Sequence, residues 1–270
     1  MVETTSNGHT PAVTACVSWV HRQATVVIPA HNERATLPAC LRAVVTAAVA
    51  APIPTVVIVV LDASDDGSAE LAGRYGPDVH FVSVHVRNVG AARAAGFRYA
   101  RTLSAHGASH WYATTDADSR VEPDWLIRQL EHRADMVLGL VQALDWVNHP
   151  PDVVANYLRA YHARIGRSHD HVHGANMGFD ASAYWRVGGF RALSTGEDVD
   201  LVSRIEAAGY RIHWDTSSSV ATSTRIEARA PHGFAHHLRQ LAASTRECRA
   251  GLPRVSAGDR AEPNAVAVNA

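Results

Sequence analysis

Lysine is absent from this 270-residue chain, so all 25 of its basic residues are arginine. The absence removes chemistries that need an amine: the phosphate-gripping lysine of a P-loop and the lysine nucleophile of Schiff-base or pyridoxal enzymes have no counterpart. Phosphate must be held by arginine, backbone or metal. Cysteine is scarce, and Cys16, Cys40 and Cys248 are odd in number and far apart. That spacing fits neither a disulfide framework nor a zinc knuckle and predicts reduced, intracellular thiols. No apolar run reaches the 18 residues of a membrane span. The longest, residues 43–53, is alanine-rich and meets Pro52 and Pro54, as a packed helix and its exit would. Near the start, Glu3 and an apolar stretch broken by Thr14 and Ser18 do not suit a signal peptide, so the expected location is cytoplasmic. A net charge of −1 and a pI near 7.0 give no electrostatic footprint for nucleic acid or anionic membrane. No G-x-G-x-x-G follows the first strand candidate, so a dinucleotide cofactor is not indicated.

What is present is a hydrophobic fraction of 47%, enough to bury a full core in one domain. We expect that domain over residues 23–249, with a nucleotide-binding half at 23–122 and an acceptor-side half at 123–249. Residues 1–22 and 250–270 read as polar tails. The run Ala24-Thr25-Val26-Val27-Ile28 reads as a buried first strand, and His31-Asn32-Glu33 as the opening of a helix with Leu37, Leu41, Val44 and Ala48 at helical spacing. The β-branched run at residues 55–60 suits a strand covered on both faces of a parallel sheet. The acidic stretch from Asp62 to Ser68 would then cap a helix to about Tyr75, with a third strand at 79–84. Further on, 134–144 reads as a strand, 152–165 as a helix, 210–214 and 219–222 as short edge strands, and 233–248 as a closing amphipathic helix.

The chemistry gathers at Thr114-Thr115-Asp116-Ala117-Asp118-Ser119, where two carboxylates one residue apart follow the apolar run His110-Trp111-Tyr112-Ala113. In an open α/β sheet, ligands bind outside the carboxyl ends of strands, and hard oxygen donors there suit Mg²⁺ or Mn²⁺ carrying a diphosphate. An Asp-x-Asp after a strand also occurs as a helix cap or turn. Asn88-Val89-Gly90-Ala91-Ala92-Arg93 opens an alanine-rich helix whose N-terminus and Arg93 could face an anion; the alternative is an ordinary Asn cap with a solvated arginine. Glu197 and Asp198 begin another helix, where the dipole alone would favour carboxylates. His169, His171 and His173 alternate and would share one face of an extended segment, as metal ligands or as a polar strand edge.

In order and spacing, these pieces resemble the family-two glycosyltransferases of the GT-A fold, from residue 24 to about 215. Pro29-Ala30-His31-Asn32-Glu33 is similar to that family's nucleotide loop, and Asp62 to its acidic second-strand end. Asn88, Gly90 and Arg93 match the helix start near the diphosphate, and Asp116-Ala117-Asp118 matches the metal motif. Gly188-Gly189-Phe190 matches the acceptor-side turn, and Glu197-Asp198-Val199-Asp200-Leu201 the helix that carries the catalytic base. The resemblance implies an α/β fold with a mostly parallel sheet flanked by helices and a smaller acceptor-side subregion. It also implies a nucleotide-sugar donor, with uridine the favoured base, and a divalent metal on Asp118 and Asp116. Asp198 would be the base of an inverting transfer, with Glu197 orienting the site and Arg93 sharing the diphosphate's charge. His173, Gly174, Asn176 and Gly189 would meet the acceptor. Leu61-Asp62 stands where many relatives have two Asp, and the family's late His has no equivalent near Thr222. The Gln-x-x-Arg-Trp motif and membrane helices of processive synthases are absent, which favours single transfer to a small or soluble acceptor. Competing readings are an Asp-x-Asp phosphatase, a sugar nucleotidylyltransferase and a non-catalytic nucleotide-sugar-binding module. The phosphatase leaves Glu197-Asp198 unexplained, and the nucleotidylyltransferase wants a Gly-rich first loop and usually a lysine.

Overall fold

The computed structural model describes residues 19–104, 109–143, 145–147 and 149–223. The expected closing helix at 233–248, the tail at 250–270 and all but the last four residues of the amino-terminal tail lie outside them. Parallel strands β1 (Gln23–Ala30), β2 (Thr55–Asp62), β3 (Val79–Val84) and β4 (His110–Thr114) form one half of the sheet. The other half holds β5 (Ser119–Arg120), β6 (Met136–Ala143), β7 (Met177–Asp180) and β8 (Ile212–Thr222). The order across the sheet is β3-β2-β1-β4-β7-β6-β8-β5. β7 runs antiparallel to both β4 and β6, so the parallel winding breaks beside the strand that leads into Asp116 and Asp118. Such a break is where an open α/β sheet parts its loops and leaves a crevice.

Helices cover both faces because β1 and β2 are apolar at every central position. One side chain set of β1, Ala24, Val26 and Ile28, packs with α1 (Leu37–Ala50) and α3 (Trp125–Glu131). On the other face Val27, Ile58 and Val60 meet α2 (Val89–Leu103), α5 (Ala181–Arg186) and α6 (Glu197–Ala207). A further helix, α4 (Pro151–His162), supplies Tyr157 and Tyr161 to a small cluster beneath Leu140. Before β1, His21 is buried and bonds the Asp180 carboxylate at 3.1 Å, tying residues 19–22 to the sheet. Among the described residues no helix is long and apolar enough to cross a membrane.

Several elements differ from the sequence reading. The helix expected up to Tyr75 is only a 3₁₀ turn, Ser68–Leu71. Asp66 folds back on the Ser68 N–H and hydroxyl, and Gly67, Gly73 and Gly76 all adopt positive φ, which breaks any longer helix. The first helix starts at Leu37 rather than at His31, since Asn32 takes φ 54° and Thr36 precedes a first turn containing Pro38. The two edge strands at 210–222 are one strand, β8, which lies inside the sheet. A register shift between Gly139 and Leu140 pairs Asp215 and Ser219 with successive residues, so 216–218 bulge out and mimic a turn in sequence.

Gly96 sets how closely α2 can lie on the sheet. A Cβ there would come within 2.5 Å of Val27 Cγ1 and 2.9 Å of Val60 Cγ2. We therefore expect Gly96→Ala to destabilise the fold by about 1–3 kcal/mol in urea unfolding through overpacking. A glycine with free space on a helix would instead gain about 1 kcal/mol from alanine, so an unchanged or raised midpoint would contradict this packing.

Candidate active site

Three loops at the carboxyl ends of β1, β2 and β3 each hold a non-glycine residue in the left-handed region: Asn32 at φ 54°, Ala63 at φ 49° and Arg87 at φ 47°. Such conformations are costly one at a time and persist where surrounding bonds over-determine them. Asp62 supplies many of those bonds. Its Oδ1 accepts from the Val86 and Arg87 N–H groups and its Oδ2 from the Asn88 N–H, each at 2.8 Å. Buried and holding three backbone donors, Asp62 shapes the β3–α2 loop at the carboxyl end of β2. His31 Nδ1 bonds the Asp62 carbonyl at 2.6 Å, and the Asn32 amide is paired both ways with Asp65. Glu33 is buried against Thr36, whose hydroxyl donates to its Oε2 at 2.6 Å. Pro29 and Ala30 end β1, level with Val60 and Leu61.

At the start of α2, Asn88 is a helix cap. Its side-chain oxygen accepts from the Ala91 N–H, and its amide nitrogen donates to the Leu193 carbonyl. Gly90 is required by packing, since a Cβ would strike the Arg191 carbonyl and press on Glu197. One turn further in lies Arg93, with 3% of its side chain exposed. It donates to Asp116 Oδ1 at 2.7 Å and to Glu197 Oε1 at 2.5 Å. Burial alone would loosen its proton, but Asp116, Glu197 and Asp198 outweigh that and hold the guanidinium charged. Its terminal nitrogens lie between two carboxylates, with the Phe190 ring 5.5 Å away.

Asp116 keeps 39% of its side chain exposed despite this bridge. Ala117 turns into the core, and Asp118 faces the end of β8. There the Ser119 and Thr222 hydroxyls lie 3.4 Å and 3.5 Å from Asp118 Oδ1 and 2.9 Å from each other. Thr222 is a neighbour of Asp118 that the sequence does not announce, since the β5–β8 pairing brings it in from 104 residues away. Beneath the motif the free thiol of Cys40 donates to the Asp116 carbonyl at 3.3 Å. Burial, then the Asp118, Asp116 and Glu33 charges, push this thiol far above its ordinary range, so it is inert packing.

Across the crevice α6 begins with Glu197 and Asp198 after Gly196, whose φ of 71° lets the chain turn into the helix. Glu197 is buried on Arg93, whereas Asp198 is half-buried. Its Oδ2 accepts from the Gly174 N–H at 3.0 Å and its Oδ1 from the Val199 N–H at 2.8 Å. Gly174 can lie there because it lacks a side chain; a Cβ would strike the Arg93 guanidinium. The Asn176 amide is buried, accepting from Trp125 Nε1 at 2.8 Å and donating to the Leu140 carbonyl at 2.8 Å. Gly189, at φ 67°, gives its carbonyl to Arg204 and packs on Tyr184.

The alternating histidines form a stacked ladder. His169 and His171 stack 5.9 Å apart, and His171 and His173 5.8 Å apart. His169 Nε2 bonds the Leu138 carbonyl, and its Nδ1 accepts from the His171 N–H. His171 Nε2 bonds the Tyr161 carbonyl, and His173 Nε2 bonds the Tyr161 hydroxyl at 3.2 Å. Burial first, then its two neighbours in the ladder, lower His173 from 6.5 to about 4. His110, buried between Thr25 and Ser104, is likewise lowered to about 4. The unfolded chain therefore takes up these protons first as the pH falls. Stability contributed by the neutral rings is complete above about pH 6.5 and is lost toward pH 4, at up to about 1.4 kcal/mol per pH unit for each ring. We expect unfolding midpoints to fall through that window, with a shallower slope in His173→Gln. An identical slope in the variant would contradict the burial of His173 as a neutral ring.

A family model described as Glycosyl transferase family 2 matches residues 25–188, more than half of the chain. No curated protein sequence matches it. Among solved structures, S. aureus TarS residues 1–349 in complex with UDP-GlcNAc is similar at TM-score 0.55 and 13% identity, covering 82% of this chain and 66% of that one. The Pyrobaculum calidifontis mannosyltransferase PcManGT, in complex with GDP-Man and Mn²⁺, is similar at TM-score 0.53 and 22% identity, covering 86% of this chain and 66% of that one. The chain thus spans slightly less than two thirds of either structure, and at these identities the likeness establishes the GT-A fold.

Proposed function

From the premise that the chain belongs to glycosyl transferase family 2 and is a transferase enzyme, we propose that it moves a sugar from a UDP-sugar donor to the hydroxyl of a small or soluble acceptor, with inversion at the anomeric carbon. The observation that carries this reading is the Asp116–Arg93–Glu197 bridge, which fastens the Asp-x-Asp strand end to the start of α6 and so sets Asp198 beside the donor crevice. The TarS complex with UDP-GlcNAc supports the choice of nucleotide.

The donor set suits a hard divalent cation. Asp118, the exposed part of Asp116 and the Thr222 hydroxyl offer oxygen only, and the PcManGT complex with Mn²⁺ supports Mn²⁺ or Mg²⁺. When bound, such an ion supplies positive charge against the diphosphate leaving group. Arg93 holds one Asp116 oxygen in place, and Thr222 and Ser119 steady Asp118. The Gly174 and Val199 N–H groups orient the Asp198 carboxylate, which takes the proton of the acceptor hydroxyl as that oxygen attacks. Glu197, bound to Arg93, positions this machinery and does not take the proton. The double contact of Asp198 favours an enzyme over a binding module, since a module has no need of a carboxylate held at that point.

Two substitutions separate the roles. Asp118→Asn should sharply weaken Mn²⁺-dependent UDP binding measured by calorimetry. Asp198→Asn should leave that binding intact and lower transfer by roughly two to four orders of magnitude. Unchanged affinity in the first variant removes the metal assignment, and near-normal transfer in the second removes the base. A thermal-shift panel with UDP and GDP sugars checks the nucleotide, with the larger shift expected for UDP.

A further inference from the structure

A second group of ligating side chains lies away from the crevice. His132 follows α3 directly, and His213 and Asp215 sit two residues apart on β8, hence on one face of the strand. His213 pairs with Val137, whose side chain belongs to the core shared with α3, so this is the α3 side of the sheet. The helices that carry Arg93 and Glu197 pack on the other side. One ligand atom from each of the three residues lies within 4.8 Å of the other two. Asp215 is 3% exposed, and its Oδ2 is 3.2 Å from His132 Nε2. Its Oδ1 is fixed by the Ser217 N–H at 2.8 Å and the Ser217 hydroxyl at 2.6 Å.

We propose that His132, His213 and Asp215 form a structural site for a Zn²⁺-class ion that clips the end of α3 to β8. Two imidazoles and one carboxylate are a borderline donor set that suits zinc, with water completing a tetrahedron. The ion would take the place of the hydrogen bond between His132 Nε2 and Asp215 Oδ2. The His132 and His213 rings now stack with centroids 3.7 Å apart and planes 22° apart. Stacked rings direct their lone pairs side by side, so uptake requires His213, which is partly exposed, to turn about its side-chain torsions. The Ser217 bonds play the part of the outer partners that orient a ligating carboxylate. The clip also bears on the crevice, because the same strand ends in Thr222 against Asp118.

The test is titration of Zn²⁺ alone into the metal-stripped full chain. One ion should bind and raise the thermal midpoint. Affinity should persist in Asp118→Asn and fall at least about tenfold in His213→Gln and in Asp215→Asn. In the unaltered protein, Co²⁺ should shift and broaden the imidazole NMR signals of His132 and His213 ahead of those of the other histidines, a reading independent of how the variants fold. Absence of Zn²⁺ binding, equal affinity in His213→Gln, or Co²⁺ effects confined to other histidines would each overturn the proposal.

Discussion

One buried cation holds the crevice together. Arg93 is inside the protein, and a lone guanidinium there would be prohibitively costly unless paired and hydrogen-bonded. Its partners come from opposite sides: Asp116 from the end of β4 and Glu197 from the first turn of α6. The backbone at Gly174 and the ring of Phe190 close over it. Chain around residues 116, 174 and 190–197 is thereby fixed around a single charge. Remove it, and Glu197 is left as a buried carboxylate without its cation, a change that typically costs about 3–5 kcal/mol.

The function follows from what this bridge leaves over. Asp116 and Glu197 are committed to Arg93, while Asp198 and Asp118, their neighbours in sequence, are held by backbone N–H groups and by hydroxyls. Adjacent carboxylates thus sit in different surroundings, one of each pair bound to the guanidinium and the other held by backbone N–H groups or hydroxyls. The strained residues Asn32, Ala63 and Arg87 lie at the carboxyl ends of β1, β2 and β3, where Asp62 satisfies backbone that strain would otherwise leave unpaired.

Much of this was legible in the sequence because the relevant signals are local. The uninterrupted β-branched run of β2 gives a doubly covered strand, and Asp116-Ala117-Asp118 after an apolar run gives a carboxylate pair at a strand end. Glu197-Asp198 ahead of Leu201, Val202 and Ile205 gives carboxylates on a helix start. What escaped depends on pairing at long range. The partners of Arg93 gave no local signal because they lie 23 and 104 residues away. The bonds of the Asn176 amide to Trp125 and Leu140 were hidden for the same reason. Thr222 gave no signal because a lone threonine acquires its meaning only when β8 pairs with β5. The bulge at 216–218 split one strand into two apparent ones for a related reason: it is the partner strand that defines a bulge.

The most direct test of the central claim is a double-mutant cycle across the bridge, combining Asp116→Asn with Glu197→Gln and reading unfolding free energies in urea. Because both carboxylates compete for and orient one guanidinium, the account predicts a coupling energy of about 0.5–3 kcal/mol between residues that do not bond each other. Additivity within about 0.3 kcal/mol would contradict it, since Arg93 would then not join the two sides of the crevice.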